Sequence, residues 1–242
     1  SGLYNIFFDG LWREDIEKDF VLQFTMIDNK IEVRGIEKKY GLFNRIDLIG
    51  IDSVNTFKIK SVMPEKQTRR YDDNMSIISS EGKMNIINEV NLDKYIAGVV
   101  ESEVGVKTVT EYYKVQSIIC RTYALAHLSR HETEGFNLCD EVHCQVNYGN
   151  SKVSEAIQSA VVSTKGLVMV DDQLDLVLAA FHSNCGGQTV NSEEVWSSGK
   201  NYLRSVSDSF CTNELHACWS KKIPIEEWKK YLVKFKVEWN DS

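Results

Sequence analysis

The stretch Asn91-Leu92-Asp93-Lys94-Tyr95-Ile96-Ala97-Gly98-Val99-Val100-Glu101-Ser102-Glu103-Val104 decides how the chain is read. Asn91 is a helix-capping residue type, and an apolar stripe at helical spacing follows it. At roughly 100° per residue, Ile96, Val99, Val100 and Glu103 fall on that stripe, with Glu103 near its middle and Glu101 pointing well away. A helix here places one carboxyl group on an apolar face. Loss of hydration favours the protonated form, which suits a general acid. The competing reading pairs Glu103 with a buried arginine, and Arg121 on the next helix is the candidate.

Upstream, the first 90 residues read as strands. Short runs at 4–8, 21–27, 30–36, 56–62, 75–79 and 84–87 are rich in β-branched and aromatic residues. Asp28-Asn29 and Glu81-Gly82 are turn signals between them. Downstream, a second helix is expected over 110–130. Its Val115, Ile118, Ile119, Thr122, Leu125 and Ala126 leave little polar surface and predict a buried central helix. A Cys- and His-rich loop covers 132–150, a third helix 153–164 is ended by Gly166, and strands return at 167–170 and 176–181. A Gly-rich loop at 185–187 and a last helix at 225–235, after Pro224, complete the pattern. The expected fold class is α+β, a helical centre flanked by β-rich N-terminal and C-terminal segments. It is read as one domain, 1–242: a β-rich segment over 1–90, a helical segment over 91–165, and a mixed segment over 166–242 with strands, the Gly-rich loop and the final helix.

Composition narrows the function classes. The 242 residues are 43% hydrophobic and 26% charged, ordinary for a soluble globular chain. A net charge of −7 argues against nucleic-acid binding through a general basic surface. No apolar run approaches the roughly 20 residues of a membrane span. Six cysteines are too sparse for a disulfide scaffold. Four residues, His131, Cys139, His143 and Cys144, match a structural zinc set, with His127 one turn before His131 as an alternative ligand. A Cys139–Cys144 disulfide or free thiols are the other readings. Such a metal would brace its loop, because four protein ligands leave no open position. Cys211 and Cys218 bracket a loop containing His216, as a disulfide or as free thiols.

Blocks in a fixed order then carry a family resemblance. The Asn91–Glu103 run is followed by Lys114-Val115-Gln116, Cys120-Arg121-Thr122-Tyr123-Ala124-Leu125, Cys139-Asp140, His143-Cys144-Gln145-Val146 and Phe181-His182-Ser183. Gly186-Gly187-Gln188-Thr189, Ser192-Glu193-Glu194-Val195-Trp196 and Tyr202-Leu203-Arg204-Ser205-Val206 complete the series. Over about residues 85–206 the chain resembles the stage II sporulation protein D family and its amidase-enhancer relatives. It departs from the pattern at Val104-Gly105, where the family usually has Met-Pro, and at Ser183-Asn184-Cys185, where a serine run is common.

The resemblance implies a peptidoglycan lytic transglycosylase acting in spore engulfment. It would cleave between N-acetylmuramic acid and N-acetylglucosamine in denuded glycan strands and leave a 1,6-anhydro product. Glu103 matches the family's catalytic glutamate. Arg121, Tyr123, Gln145, Tyr148, Ser183 and Thr189 lie within or beside the blocks as candidate substrate ligands. The implied partners are the peptidoglycan amidase stage II sporulation protein P and a membrane component of the engulfment complex. The implied location is extracytoplasmic, anchored to the mother-cell membrane by an N-terminal segment that this sequence, opening Ser1-Gly2, does not include. The rival functions are a non-catalytic amidase enhancer and a zinc hydrolase with an open metal position near Glu103.

Overall fold

The computed structural model describes residues 3–17, 19–52, 54–149, 154–214, 217–218 and 220–235. It divides into two compact units, Ser1–Ala179 and Ala180–Ser242.

The first unit opens with ten strands. They are β1 (Tyr4–Phe8), β2 (Leu11–Ile16), β3 (Gln23–Ile27), β4 (Lys30–Arg34), β5 (Lys39–Phe43), β6 (Arg45–Gly50), β7 (Thr56–Ile59), β8 (Arg69–Asp72), β9 (Asn74–Ser80) and β10 (Lys83–Glu89). They form an antiparallel five-stranded sheet in the order β10-β9-β6-β1-β2, a three-stranded sheet β3-β4-β5, and the β7-β8 ribbon. Asp28 and Asn29, at φ 48° and 60°, make the tight β3-β4 turn, and Glu81 and Gly82, at 49° and 75°, make the β9-β10 turn. Along β1, alternate residues Tyr4, Ile6 and Phe8 point into the core. There they meet Ile46 and Ile77 of the same sheet and Ile31 and Val33 of β4. Phe8 stacks on Phe43 at 4.3 Å between ring centres.

Three helices follow: α1 (Leu92–Val104), α2 (Thr110–Ala126) and α3 (Glu155–Ser163), each packed on the other two. Asn91 caps α1 by accepting the Asp93 N–H at 2.9 Å. Their shared core is Ile96, Val99, Val100, Tyr113, Cys120, Ala124, Ile157, Ala160 and Val161. The second unit holds 3-10 turns at Ser192–Glu194 and Ser209–Asn213 and the helix α4 (Ile225–Lys234).

The α+β class holds, with three corrections. Strands β2, β5, β6 and β8 lie outside the runs picked from the sequence. Residues 167–170 and 176–181 are not strands: they share one isolated bridge, Val170 to Leu176. The Met169 N–H instead donates to Thr122 Oγ1 at 3.0 Å, so the backbone is spent on α2 rather than on a ladder. The third concerns α2, whose buried residues are Tyr113, Gln116, Ser117, Cys120, Arg121, Thr122 and Ala124; of the residues picked from the sequence Thr122 is buried, Ile118, Ile119 and Leu125 are half-buried, and Val115 is 53% exposed. Apolar periodicity is offset from the most buried face here because that face carries satisfied polar groups. Ser117 Oγ donates to the Tyr113 carbonyl, and Gln116 reaches Cys120.

Candidate active site around Glu103

Glu103 sits in the last turn of α1, which ends at Gly105 with a positive φ of 71°. The helix is enclosed by α2, by α3 and by the segment 145–149. The segment comes close at Gly98, where a side chain would run into Asn147 Oδ1 at 2.9 Å. Segment 145–149 is laced onto α1 by three contacts. Tyr95 Oη donates to Gln145 Oε1 at 3.2 Å, the Tyr148 N–H donates to Ser102 Oγ at 3.0 Å, and the Val146 N–H donates to Glu103 Oε1 at 3.1 Å. A backbone donor thus fixes the orientation of the Glu103 carboxyl. Its other oxygen has no hydrogen-bond partner among the described residues.

Burial of the two glutamates corrects the stripe argument. Glu101 is the buried one, 8% exposed, and Glu103 is half-buried. A one-sided stripe assumes a helix with a solvent face, but six consecutive residues, Ile96 to Glu101, are buried in α1. Next to Glu103 lies Cys120, wholly buried. Burial pushes its thiol up to about 12, and the Glu103 charge adds to the rise.

Arg121 does not pair with Glu103, and it has no face left for a substrate. It is 2% exposed. Nη1 donates to the carbonyls of Thr164 and Leu167 at 2.9 and 3.2 Å, and Nη2 donates to the Val161 carbonyl at 3.2 Å. Nη2 also lies 3.5 Å from Asp93 Oδ1. These carbonyls close the C-terminal end of α3, where a cation complements the helix dipole. Gln145 is likewise structural: it is 5% exposed and ties Tyr95 of α1 to the Cys120 carbonyl of α2. Tyr123 stacks on His127 and receives a hydrogen bond from Arg130 at 2.8 Å. Tyr148 is 51% exposed, with the Arg69 guanidinium 4.5 Å from its ring centre. Sequence reasoning passed over Arg69, which also pairs with Asp140 at 2.6 Å. Its only sequence signal was the short Arg69-Arg70 pair. Ser183, exposed, and Thr189, bonded through its hydroxyl to Val206, belong to the second unit.

The four zinc-set residues come together: the ligand atoms of His131, Cys139, His143 and Cys144 all lie within 4.8 Å of one another. Cys144 Sγ is 3.4 Å from His131 Nε2 and 3.7 Å from His143 Nδ1, and Cys139 Sγ is 3.8 Å from His143 Nδ1. A tetrahedral zinc with sulfur at about 2.3 Å and nitrogen at about 2.0 Å needs edges of about 3.5 Å. The donor set therefore fits. On its far side, His131 Nδ1 meets Glu134 at 2.5 Å, the carboxylate–histidine arrangement that presents Nε2 to a metal. His127 is outside the group, with Nδ1 2.8 Å from the Tyr123 carbonyl. His143 and Cys144 immediately precede Gln145 and Val146, so whatever holds this loop also holds the donor to Glu103. None of the six cysteines, Cys211 and Cys218 included, is joined in a disulfide.

Residues 80–170 match the family model described as SpoIID, stage II sporulation protein. Among curated proteins, the chain is 25% identical over 168 residues to an uncharacterised protein of Brachyspira hyodysenteriae, across 69% of this chain and 45% of that protein. It is 27% identical over 162 residues to the stage II sporulation protein D of Bacillus amyloliquefaciens, across 61% of this chain and 43% of that one. It is 32% identical over 114 residues to an amidase enhancer of Bacillus subtilis, across 47% of this chain and 15% of that protein. The chain thus spans less than half the length of these curated relatives.

Proposed function

We propose that the chain, whose residues 80–170 match the stage II sporulation protein D family model, is a member of that family and a peptidoglycan lytic transglycosylase whose acid and base is Glu103. The observation that carries this reading is a half-buried carboxyl group held through one oxygen by the Val146 N–H, with its second oxygen unbonded among the described residues. That oxygen would protonate the glycosidic oxygen between N-acetylmuramic acid and N-acetylglucosamine. It would then take the proton from the C6 hydroxyl of the muramic ring as that hydroxyl closes onto C1. The nucleophile is intramolecular and its effective concentration high, so no second carboxylate is needed to activate water. Glu101 supports this reading, because its burial two positions away disqualifies it as the partner that a hydrolase requires.

Tyr148, exposed and braced by Arg69, is suited to pack on a sugar ring beside the acid. A structural zinc on His131, Cys139, His143 and Cys144 would hold segment 145–149 against α1. Elemental analysis should show that Cys139→Ser loses one zinc per chain, and cleavage should fall with it. Retention of the zinc would remove the site. We place the activity outside the mother-cell membrane on glycan strands denuded by the amidase stage II sporulation protein P, together with a membrane component.

The similarity to an amidase enhancer favours a second reading, a wall-binding module without chemistry of its own. One experiment separates the readings. Digestion of peptide-free glycan in heavy-oxygen water should give unlabelled 1,6-anhydro-muramic ends. Labelled reducing ends would mean hydrolysis, and no sugar release without the amidase would mean an enhancer.

A further inference from the structure

We propose that Cys185, Asp208 and Cys211 form a second metal site, in the second unit, taking a borderline-soft divalent cation of the zinc type. Their ligand atoms lie within 4.8 Å of one another, and both sulfurs face the same carboxylate oxygen: Asp208 Oδ2 is 3.5 Å from Cys185 Sγ and 3.2 Å from Cys211 Sγ. Zinc with sulfur at about 2.3 Å and oxygen at about 2.0 Å sets a tetrahedral sulfur–oxygen edge near 3.5 Å. The atoms thus stand at nearly the separation that coordination requires.

The carboxylate is held in place for this. Its other oxygen, Oδ1, accepts the Phe210 N–H at 3.0 Å, and the Asp208 N–H donates to the Gly187 carbonyl at 2.9 Å. Oδ2 is left for the sulfurs, and outer contacts orient the ligand as they do in metal centres. The loop bearing Cys185 is fixed to the same turn. Asn184 Nδ2 donates to the Cys211 carbonyl at 3.1 Å, and Asn184 Oδ1 accepts the Gly186 N–H at 2.7 Å. Gly187, at φ 107°, comes so close that a side chain there would strike Thr212 Cγ2 at 2.7 Å. Two thiolates and a carboxylate give a divalent cation three anionic ligands, one negative charge more than it carries, and leave one coordination position to water. Binding releases the two thiol protons to solvent. The metal would clip the Gly-rich loop to the 3-10 turn Ser209–Asn213. A disulfide between the same sulfurs would instead strip Asp208 Oδ2 of both its donors.

The site is independent of the chemistry proposed for Glu103 and of the zinc set on the other unit, and the test is built to keep them apart. Zinc per chain is measured in the wild type, Cys185→Ser and Cys139→Ser, each purified without added metal. Cys185→Ser should hold one zinc fewer than the wild type whatever happens at the first site, and Cys139→Ser should keep the zinc at the second. As a check that needs no variant, chelated wild-type protein is titrated with zinc, and alkylation of each cysteine is followed by mass spectrometry. Cys185 and Cys211 should become protected together. Unchanged zinc content in Cys185→Ser, alkylation of both thiols at saturating zinc, or a mapped Cys185–Cys211 disulfide in freshly purified protein would each overturn the proposal.

Discussion

Glu103→Gln should keep the fold and lose glycan cleavage by a factor on the order of 10²–10⁴, the range for removing a positioned general acid or base. The upper end is expected because the same group would act twice, giving a proton to the leaving oxygen and taking one from the C6 hydroxyl. The fold should survive because glutamine keeps a carbonyl oxygen in the Oε1 position, where the Val146 N–H donates. Glu101→Gln is the control. Its side chain is buried in the helical core, so its cost should be read in stability, while cleavage per folded molecule stays close to wild type. The measurements are release of sugar fragments from purified glycan strands and a thermal melt of each variant. A folded Glu103→Gln chain that cleaves at the wild-type rate would end the assignment.

Local features of the chain were legible because their causes are local. The Asn91 cap and the apolar spacing after it need no information from outside α1, and the structure puts both ends of that helix where the sequence does. The Asp28-Asn29 and Glu81-Gly82 turns require positive φ, which Asp28, Asn29 and Gly82 tolerate by residue type, with Glu81 carried into it beside the glycine. Asp9-Gly10, at φ 49° and 79°, carries the same signal and would have located β2. β6 escaped because the alternation of Ile46 and Leu48 spans only a few residues. Whatever depends on partners distant in sequence was not legible. The buried face of α2 is polar only because carbonyls of α3 and of the chain after it, some forty residues away, satisfy Arg121. Cys185 and Asp208 meet across 23 positions, so no spacing motif announces them. The His131, Cys139, His143 and Cys144 group, by contrast, lies within one loop and could be read from spacing.

Arg121 is where these two kinds of information disagree most, and its substitution should have the largest effect on stability. Arg121→Ala would leave the carbonyls of Val161, Thr164 and Leu167 without this donor and take the guanidinium from beside Asp93. Breaking a buried charged network of this kind costs roughly 3–5 kcal/mol. Set against a total stability of about 5–15 kcal/mol for a typical domain, that is enough to unfold a large share of the chains. Arg121→Lys should be intermediate: the charge remains, but one ammonium cannot reproduce a planar fork that serves three carbonyls. Urea denaturation followed by circular dichroism should therefore rank the midpoints wild type, Arg121→Lys, Arg121→Ala. In the folded Arg121→Lys chain, KM for glycan should stay near the wild-type value, because the guanidinium faces α3 and not the surface. An Arg121→Lys chain with an unchanged midpoint and a raised KM would return Arg121 to the substrate site.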